Sequence, residues 1–543
     1  MNSNSNADVI IVGTGVVGVL IAEQLLDAGI SVLMLEAGPR VARSEIVENF
    51  RNLPLALKGD PSSCYPPRPW APHPMPSSDK PEDQYLELTG PDKYAQTFIR
   101  YAGGSTWHWA GTCWRLTPDD MRLHSRYGVG RDWAFGYDEL EPYYTRVEHK
   151  LGICGPSDPQ LQWPPQRSQP YPMPALPFSP GEQRFTEVVK ALGYRNIPTA
   201  QARNSGMPYD DRPACCANNN CVPVCPVGAK YDAATALGRL EAKGATILTD
   251  AVVYRVDTDA RNQVEAVNYF DANKQTHRIS GKIFVLACNG IETPKLLLMS
   301  ANSRNTRGLA NSSDQVGRNM MDHPQLTMTL TLSEPYWSGV GPVVNSGIME
   351  TSQGDFRSEH AGAYFRYNNF ARNRFVTFGA LKKGLVGRAL DEEIRRMSGC
   401  TADIVLAHEV LPDPDNRLTL SSRKDWLGLP RPAIHYDVGD YTRRSAETYS
   451  LPIGKRIAEA MGAIDIKVSP KFAQSKHIMG GTIMGTDPAN SVVDAECRAY
   501  DHQNLFLPGG GAMASTACGN STISMAALGL KAADAIVRQM RKA

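Results

Sequence analysis

Four of the chain's 11 cysteines, Cys215, Cys216, Cys221 and Cys225, fall within 11 residues. Three of them make a C-x5-C-x3-C pattern, and Pro226 follows the last. Thiols gathered on a short irregular loop point to one of three chemistries. Disulfides would be cramped, because bridged Cα atoms must sit about 4.4–6.8 Å apart with a fixed torsion. Zinc favours C-x2–4-C knuckles in pairs, and no second knuckle is present. An iron–sulfur cluster takes several thiolates from such a loop, often with proline after the last, and this spacing fits. The second constellation is Gly13, Gly15 and Gly18, a GxGxxG followed by Glu36, which lies 18 residues after Gly18. The glycines permit a tight turn, close approach of a pyrophosphate to the backbone, and close helix–strand packing. Glu36 is placed to accept hydrogen bonds from ribose hydroxyls. The motif alone serves NAD and FAD equally.

The elements around these residues are those the chemistry requires. Val9–Val12 is a β-branched run of buried-strand type. Val19–Ala28 reads as a helix with Gly29 as its C-cap, and Ile30–Leu35 reads as a second strand. The phosphates of a dinucleotide would meet the helix N-terminus, where free N–H groups and the dipole favour an anion. Residues 60–80 are rich in Pro and Ser and predict an extended loop. Residues 155–182 hold nine prolines and predict a surface wrap without regular structure. Helices are expected over 138–151, 233–243, 294–300 and 521–541, with strands from 246 to 279 and at 283–288 and 504–507. Residues 326–470 alternate like antiparallel strands and predict a separate sheet domain.

Composition narrows the function classes. The 543 residues are 42% hydrophobic and 21% charged. That is an ordinary globular mixture, and it excludes wholesale disorder. Lys+Arg (57) against Asp+Glu (56) leaves +1, with no bulk attraction for nucleic acid or anionic lipid. No apolar run reaches the length of roughly 18 residues that a membrane span needs. Val9–Ala22 is interrupted by three glycines and preceded by Met1–Asp8, which has an acid and no Lys or Arg. No export signal is therefore expected there.

Longer motifs settle the choice of dinucleotide. Gly103-Gly104-Ser105-Thr106-Trp107-His108-Trp109, Asn289 through Leu297, Val316 through Pro324 with its Asp322-His323-Pro324, and the block from Asn504 to Asp534 stand in the order found in glucose–methanol–choline (GMC) oxidoreductases, which the chain resembles over both termini and most of its middle. The resemblance implies an α/β (α+β overall) fold: a Rossmann-like FAD-binding domain over 1–125, 205–325 and 475–543, including an iron–sulfur loop at 213–227, and an antiparallel-sheet substrate domain over 126–204 and 326–474. It implies FAD contacts at Gly13, Gly15, Gly18, Glu36, Gly103, Gly104, Ser105, His108, Val253 (adenine), Asn289, and Gly510 and Ala512 of the 509–512 turn near the flavin ring. His108 stands where some relatives bond histidine to flavin.

His477-Ile478-Met479-Gly480 resembles the family's catalytic H-P-x-G segment, which implies His477 as general base. Asn520, 14 residues before Asp534, matches the second catalytic position and would orient the substrate hydroxyl. That role is compatible with capping the last helix. Ser475-Lys476 replaces two asparagines usual among the nearer relatives, so Lys476 is expected to tune the base or the substrate choice. The same resemblance, to sugar dehydrogenase catalytic subunits, implies a 3Fe-4S cluster on Cys215, Cys221 and Cys225; Cys216 is open to a fourth-ligand or a structural role, and the structural one is favoured. It further implies sugar or polyol as substrate, a small signal-bearing chaperone subunit, a membrane-anchored multihaem cytochrome c, and the periplasmic face of a bacterial inner membrane. The alternatives are ring oxidation of the glucoside 3-dehydrogenase type and a non-catalytic flavin electron-transfer or assembly subunit.

Overall fold

The computed structural model describes residues 7–55, 57–75, 84–164 and 166–542. The reading of residues 1–6 as lacking an export signal and the end of the expected loop at 60–80 lie outside the described residues; up to residue 75 that loop holds turns and one small bridge, Arg68–Ala71. The strand–turn–helix–strand unit forms as β1 (Ala7–Val12), α1 (Val16–Asp27) and β2 (Val32–Leu35). Helix α1 starts three residues before the predicted Val19 and takes Gly18 inside it. The reason is steric. A Cβ on Gly18 would stand 2.2 Å from the Gly13 carbonyl oxygen, so the helix can lie this close to the turn only with glycine there.

Strands Thr246–Leu248, β2, β1, Thr276–Leu286 and Leu505–Phe506 make a parallel sheet in that order. Val9, Ile10, Ile11 and Val12 are all buried, as the uninterrupted apolar run requires. Thr276–Leu286 belongs to two layers. Its first half pairs antiparallel with Val264–Phe270, which continues to Val252–Thr258; its second half pairs parallel with β1. The separate strands expected up to 279 and at 283–288 are thus one strand that ends at Leu286. Helix Asn289–Met299 begins five residues before the predicted Pro294, because the Asn289 side chain accepts from the N–H groups of Ile291 and Glu292. Thr522–Lys542 packs against α1 and against Tyr137–Leu151.

A second, antiparallel sheet runs Ala363–Tyr367, Thr401–His408, Gln325–Leu332, Ala463–Val468. Burial alternates strictly along Gln325–Leu332, as the period-2 pleat dictates. Met328, Leu330, Ile404 and Leu406 share an apolar cluster distinct from the main core. Residues 326–470 are not strands alone, however. Helices Asn373–Lys382, Gly387–Cys400 and Leu451–Ala460 are interleaved, the last packed on this sheet through Ile457. The proline-rich stretch is also more ordered than predicted: Ser179 and Glu182 form a capping box that starts helix Pro180–Ala191.

Candidate active site

The carboxyl ends of β1 and β2 open on a cavity of about 450 Å³. This is where an open α/β sheet places its ligand. The three motif glycines divide their work there. Gly13 has φ 105°, and a Cβ on it would meet the Ala287 oxygen at 2.6 Å; Gly18 is packed against the turn; Gly15 alone faces open space, with nothing within 4 Å of an added Cβ. That void at the N-terminus of α1 is the space a pyrophosphate needs. Glu36 is buried at the cavity wall, and its carboxylate accepts from the Thr14 hydroxyl at 2.6 Å, the Thr14 N–H at 3.0 Å and the Gly38 N–H at 2.9 Å. Burial pushes that carboxyl above its usual value, against these bonds. Glu36 therefore holds the glycine turn to the end of β2 in addition to facing the cavity.

The Thr14 hydroxyl also accepts from Gly103 N–H at 3.1 Å, tying in the loop that carries Gly104, Ser105 and His108 to the cavity. His108 is kept neutral, its pKa pulled down to about 3 by burial, and its buried Nε2 has no partner among the described residues. Val253, Asn289 and Gly510 reach the cavity wall. Gly18, Gly103 and Ala512 do not: Ala512 is fully buried behind the turn, its carbonyl accepting from Met484 N–H at 3.0 Å. The donor-rich glycine turn, the groove left open by the protein above Gly15 and the His108 nitrogen without a partner among the described residues fit a flavin dinucleotide.

His477 and Asn520 come together on this wall. Asn520 Nδ2 lies 2.8 Å from His477 Nε2. The opposite nitrogen, Nδ1, lies 2.8 Å from Ser475 Oγ and 2.7 Å from His323 Nδ1. Asp322 sits beneath, accepting from the Ser475 hydroxyl at 2.6 Å, the Ser475 and His477 N–H groups at 3.0 and 2.9 Å, and Gln96 Nε2 at 2.9 Å. These partners are far apart in sequence; bridges Met321–Met479 and Gln325–Ala473 lay the two segments side by side. Burial, then His323 and Arg366, hold the His477 imidazolium form down, with Asp322 opposing. The cation facing the base is thus Arg366. Lys476, with φ 71°, sends its ammonium to the Ala95 carbonyl at 2.9 Å instead. Sequence reading missed the roles of His323 and Asp322, although the Asp-His-Pro motif had already drawn attention to them.

On the cysteine loop, Cys221 and Cys225 are buried, Cys215 is half-buried and Cys216 exposed, and all are free thiols. Among the described residues no three His, Cys, Asp or Glu side chains converge as a metal site. Two buried cations lie beside the loop. Burial lowers the Arg203 guanidinium and the thiols of Cys221, Cys215 and Cys225 raise it more; its Nε and Nη1 have no partner among the described residues. Lys230 is pulled down to about 8 by burial, against Cys225 and Cys221, and donates to the carbonyls of Trp107 and Trp109 at 2.8 and 2.6 Å. Both cations suit an anionic occupant between thiolates.

Fold and cavity together define a FAD-dependent oxidoreductase with a half-buried, hydrogen-bonded imidazole on the cavity wall. The GMC oxidoreductase family matches in its N-terminal part over residues 8–325 and in its C-terminal part over 412–529, and the chain belongs to that family. The chain is 50% identical over 546 residues, covering 100% of itself and 99% of the relative, to the fructose dehydrogenase large subunit of Gluconobacter japonicus. It is 30% identical over 549 residues to paromamine 6'-oxidase of Streptomyces fradiae, covering 97% and 91% of the two chains. The solved pyridoxine 4-oxidase from Mesorbium loti aligns with TM-score 0.66 at 19% identity, covering 99% of this chain and 100% of that one, a likeness of fold. No helix among the described residues is long and apolar enough to cross a membrane.

Proposed function

We propose that the chain is the catalytic subunit of a sugar or polyol dehydrogenase, with His477 as general base and Asn520 as the group that orients the substrate hydroxyl. The observation that carries this reading is the position of His477 Nε2, held against Asn520 on the wall of the dinucleotide cavity. A substrate hydroxyl that takes the hydrogen-bonding place between them gives its proton to Nε2, while the carbon loses its hydrogen with both bonding electrons. FAD, when bound, supplies the acceptor for that hydride. Gly13, Gly15, Gly18, Glu36, Gly103, Gly104, Ser105, His108, Val253, Asn289, Gly510 and Ala512 are the residues proposed to form its site, Gly18, Gly103 and Ala512 by shaping the backbone. Full-length similarity to a fructose dehydrogenase large subunit supports a carbohydrate substrate.

Cys215, Cys221 and Cys225 are the residues that would hold a 3Fe-4S cluster, which supplies one-electron transfer towards a cytochrome c or a dye. The support is the donor chemistry and the unpartnered buried nitrogens of Arg203 beside the thiols. The proposed assembly adds a small signal-bearing chaperone and a membrane-anchored multihaem cytochrome c at the periplasmic face of the inner membrane; the relative being a large subunit supports partner chains. The deciding experiment mixes the flavin-loaded protein anaerobically with a panel of sugars and polyols and follows flavin bleaching. Bleaching by at least one is expected. Bleaching by none would point to a non-catalytic flavin subunit, and peroxide formed in air as fast as dye is reduced would point to an oxidase.

A further inference from the structure

A histidine can act as base at Nε2 only when its proton sits on Nδ1. The bonds around His477 decide where that proton is. His323 is buried, and its Nε2 faces the Thr516 carbonyl at 3.0 Å. A carbonyl only accepts, so His323 Nε2 must carry a hydrogen. Burial keeps His323 neutral, with its pKa below the usual histidine value. Its Nδ1 is then a bare lone pair, pointed at His477 Nδ1 from 2.7 Å. Ser475 reaches the same requirement by a different route. Its hydroxyl hydrogen is committed to the Asp322 carboxylate at 2.6 Å. Towards His477 Nδ1, at 2.8 Å, its oxygen can therefore only accept, since a hydroxyl has a single hydrogen to give. Two acceptors that cannot become donors thus face one nitrogen.

We propose that Ser475 and His323 are positioning residues that hold His477 as the Nδ1–H tautomer, keeping Nε2 bare towards the cavity. The proposal deepens the assignment of His477 as base and rests on it for its catalytic meaning. Asn520 completes the arrangement by donating from Nδ2 to Nε2 at 2.8 Å. If both acceptors are removed, the Asn520 amide can turn and offer its oxygen. The proton then moves to Nε2, and the base is blocked. The device also closes the inner side of the site: a proton passed from His477 to His323 could go no further than the Thr516 carbonyl. The proton taken from a substrate hydroxyl stays on His477 and leaves through the cavity. The charged groups acting on this pair are Asp322 on both, Arg366 on His477 and Asp120 on His323, while the Lys476 ammonium is turned to the Ala95 carbonyl.

The test uses FAD-loaded protein with ring-15N histidine, the His477 signals among the 11 histidines being assigned by their loss in His477→Gln. In the wild type, a protonated Nδ1 and a bare Nε2 are expected for His477; a protonated Nε2 overturns the proposal. Ser475→Ala is expected to slow substrate-driven flavin bleaching about tenfold, the worth of one neutral hydrogen bond, with KM unchanged and Ser475→Thr restoring the rate. Ser475→Ala with His323→Leu is expected to show a protonated Nε2 and a loss of about 10²–10³-fold, within the roughly 10⁴-fold known for a catalytic histidine in the wrong tautomer. A wild-type rate in Ser475→Ala would refute the device, and that variant decides the matter even where His323→Leu does not fold; its tautomer is expected to stay wild-type, because His323 still faces His477 Nδ1. The nitrogen spectra need no substrate, so a panel in which nothing bleaches the flavin overturns the function and leaves the tautomer readout standing.

Discussion

Replacing Gly15 and Gly18 by alanine, one at a time, separates folding from cofactor binding within a single motif. Gly15 sits at φ −66° and ψ 178°, which alanine adopts without strain, and its new Cβ would meet nothing within 4 Å. Taken alone, the protein part should be stabilised by about 0.4–1 kcal/mol, because alanine has less unfolded-state freedom to lose. The same methyl occupies the groove at the start of α1. Pushing a phosphate off one charge-assisted N–H bond forfeits about 1.5–3 kcal/mol, roughly a 10- to 150-fold weaker FAD affinity. Gly18→Ala does the reverse: its Cβ would lie 2.2 Å from the Gly13 oxygen, so α1 must part from the turn or the chain must refold locally. Overpacking of this kind costs about 1–3 kcal/mol or more. The assay is flavin content by absorbance, circular dichroism for folded mass, and thermal unfolding of flavin-stripped protein. Gly15→Ala should be fully folded and flavin-poor, and Gly18→Ala poorly folded. A Gly15→Ala protein that keeps stoichiometric, wild-type-affinity FAD would refute the reasoning, because the void would then not be where the pyrophosphate lies.

His477→Ala should slow flavin reduction by about 10²–10⁴-fold at unchanged flavin content, and Asn520→Ala should slow it less, as read by stopped-flow bleaching. Since desolvation and His323 hold the His477 imidazolium form down, kcat/KM of the free enzyme should show no acid limb near pH 6.5; a limb there would contradict that suppression. His73 and His408 have pKa values pulled down to about 3 and about 4 by burial. Folded values below the unfolded one mean that their stabilising contribution is complete above about pH 6.5 and is lost as pH falls towards the folded values, about 2 kcal/mol each between pH 7 and 5. Unfolding midpoints should drop over that range and drop less in His408→Gln; equal losses would sink the assignment. Cys221→Ser should lose iron and acid-labile sulfide, measured chemically and by electron paramagnetic resonance, while substrate still bleaches the flavin. Iron and sulfide lacking in the wild type would end the cluster reading.

What the sequence makes legible here depends on how local the cause is. The β1–α1–β2 unit reads correctly because its strand, turn and packing requirements all lie within Val9–Glu36, and the start of α1 is misplaced only because Gly18 looks like a helix breaker until its contact with Gly13 is seen. Helix Asn289–Met299 is misplaced for a similar reason: a proline suggests a first turn, but the Asn289 side chain supplies the cap earlier. Residues 326–470 alternate, and the sheet is there, yet helix Leu451–Ala460 owes its place to Ile457 packing on that sheet, which no window of sequence contains. In the site, His477 and Asn520 are legible through motifs. The partners of His477 Nδ1 are not, since His323 reaches it across 154 residues by way of the Met321–Met479 bridge. For Lys476, adjacency in sequence suggests a charge beside His477, and a left-handed backbone turns the ammonium to the Ala95 carbonyl instead, still on the cavity wall.

The parallel sheet that carries the glycine turn is completed by Leu505–Phe506, and the cavity wall by Asn520. During synthesis, β1 emerges first and these residues nearly last, so the cofactor site has no chance to assemble on the growing chain. At about 5–20 residues per second the wait is on the order of half a minute to two minutes. For about half of that interval, until Thr276–Leu286 is made, Val9–Val12 is an apolar strand with one edge unpaired, a natural client for a holding chaperone. Flavin capture then becomes the event that marks a finished chain, and a chain cut short before Leu505 should be recognisable by its failure to turn yellow.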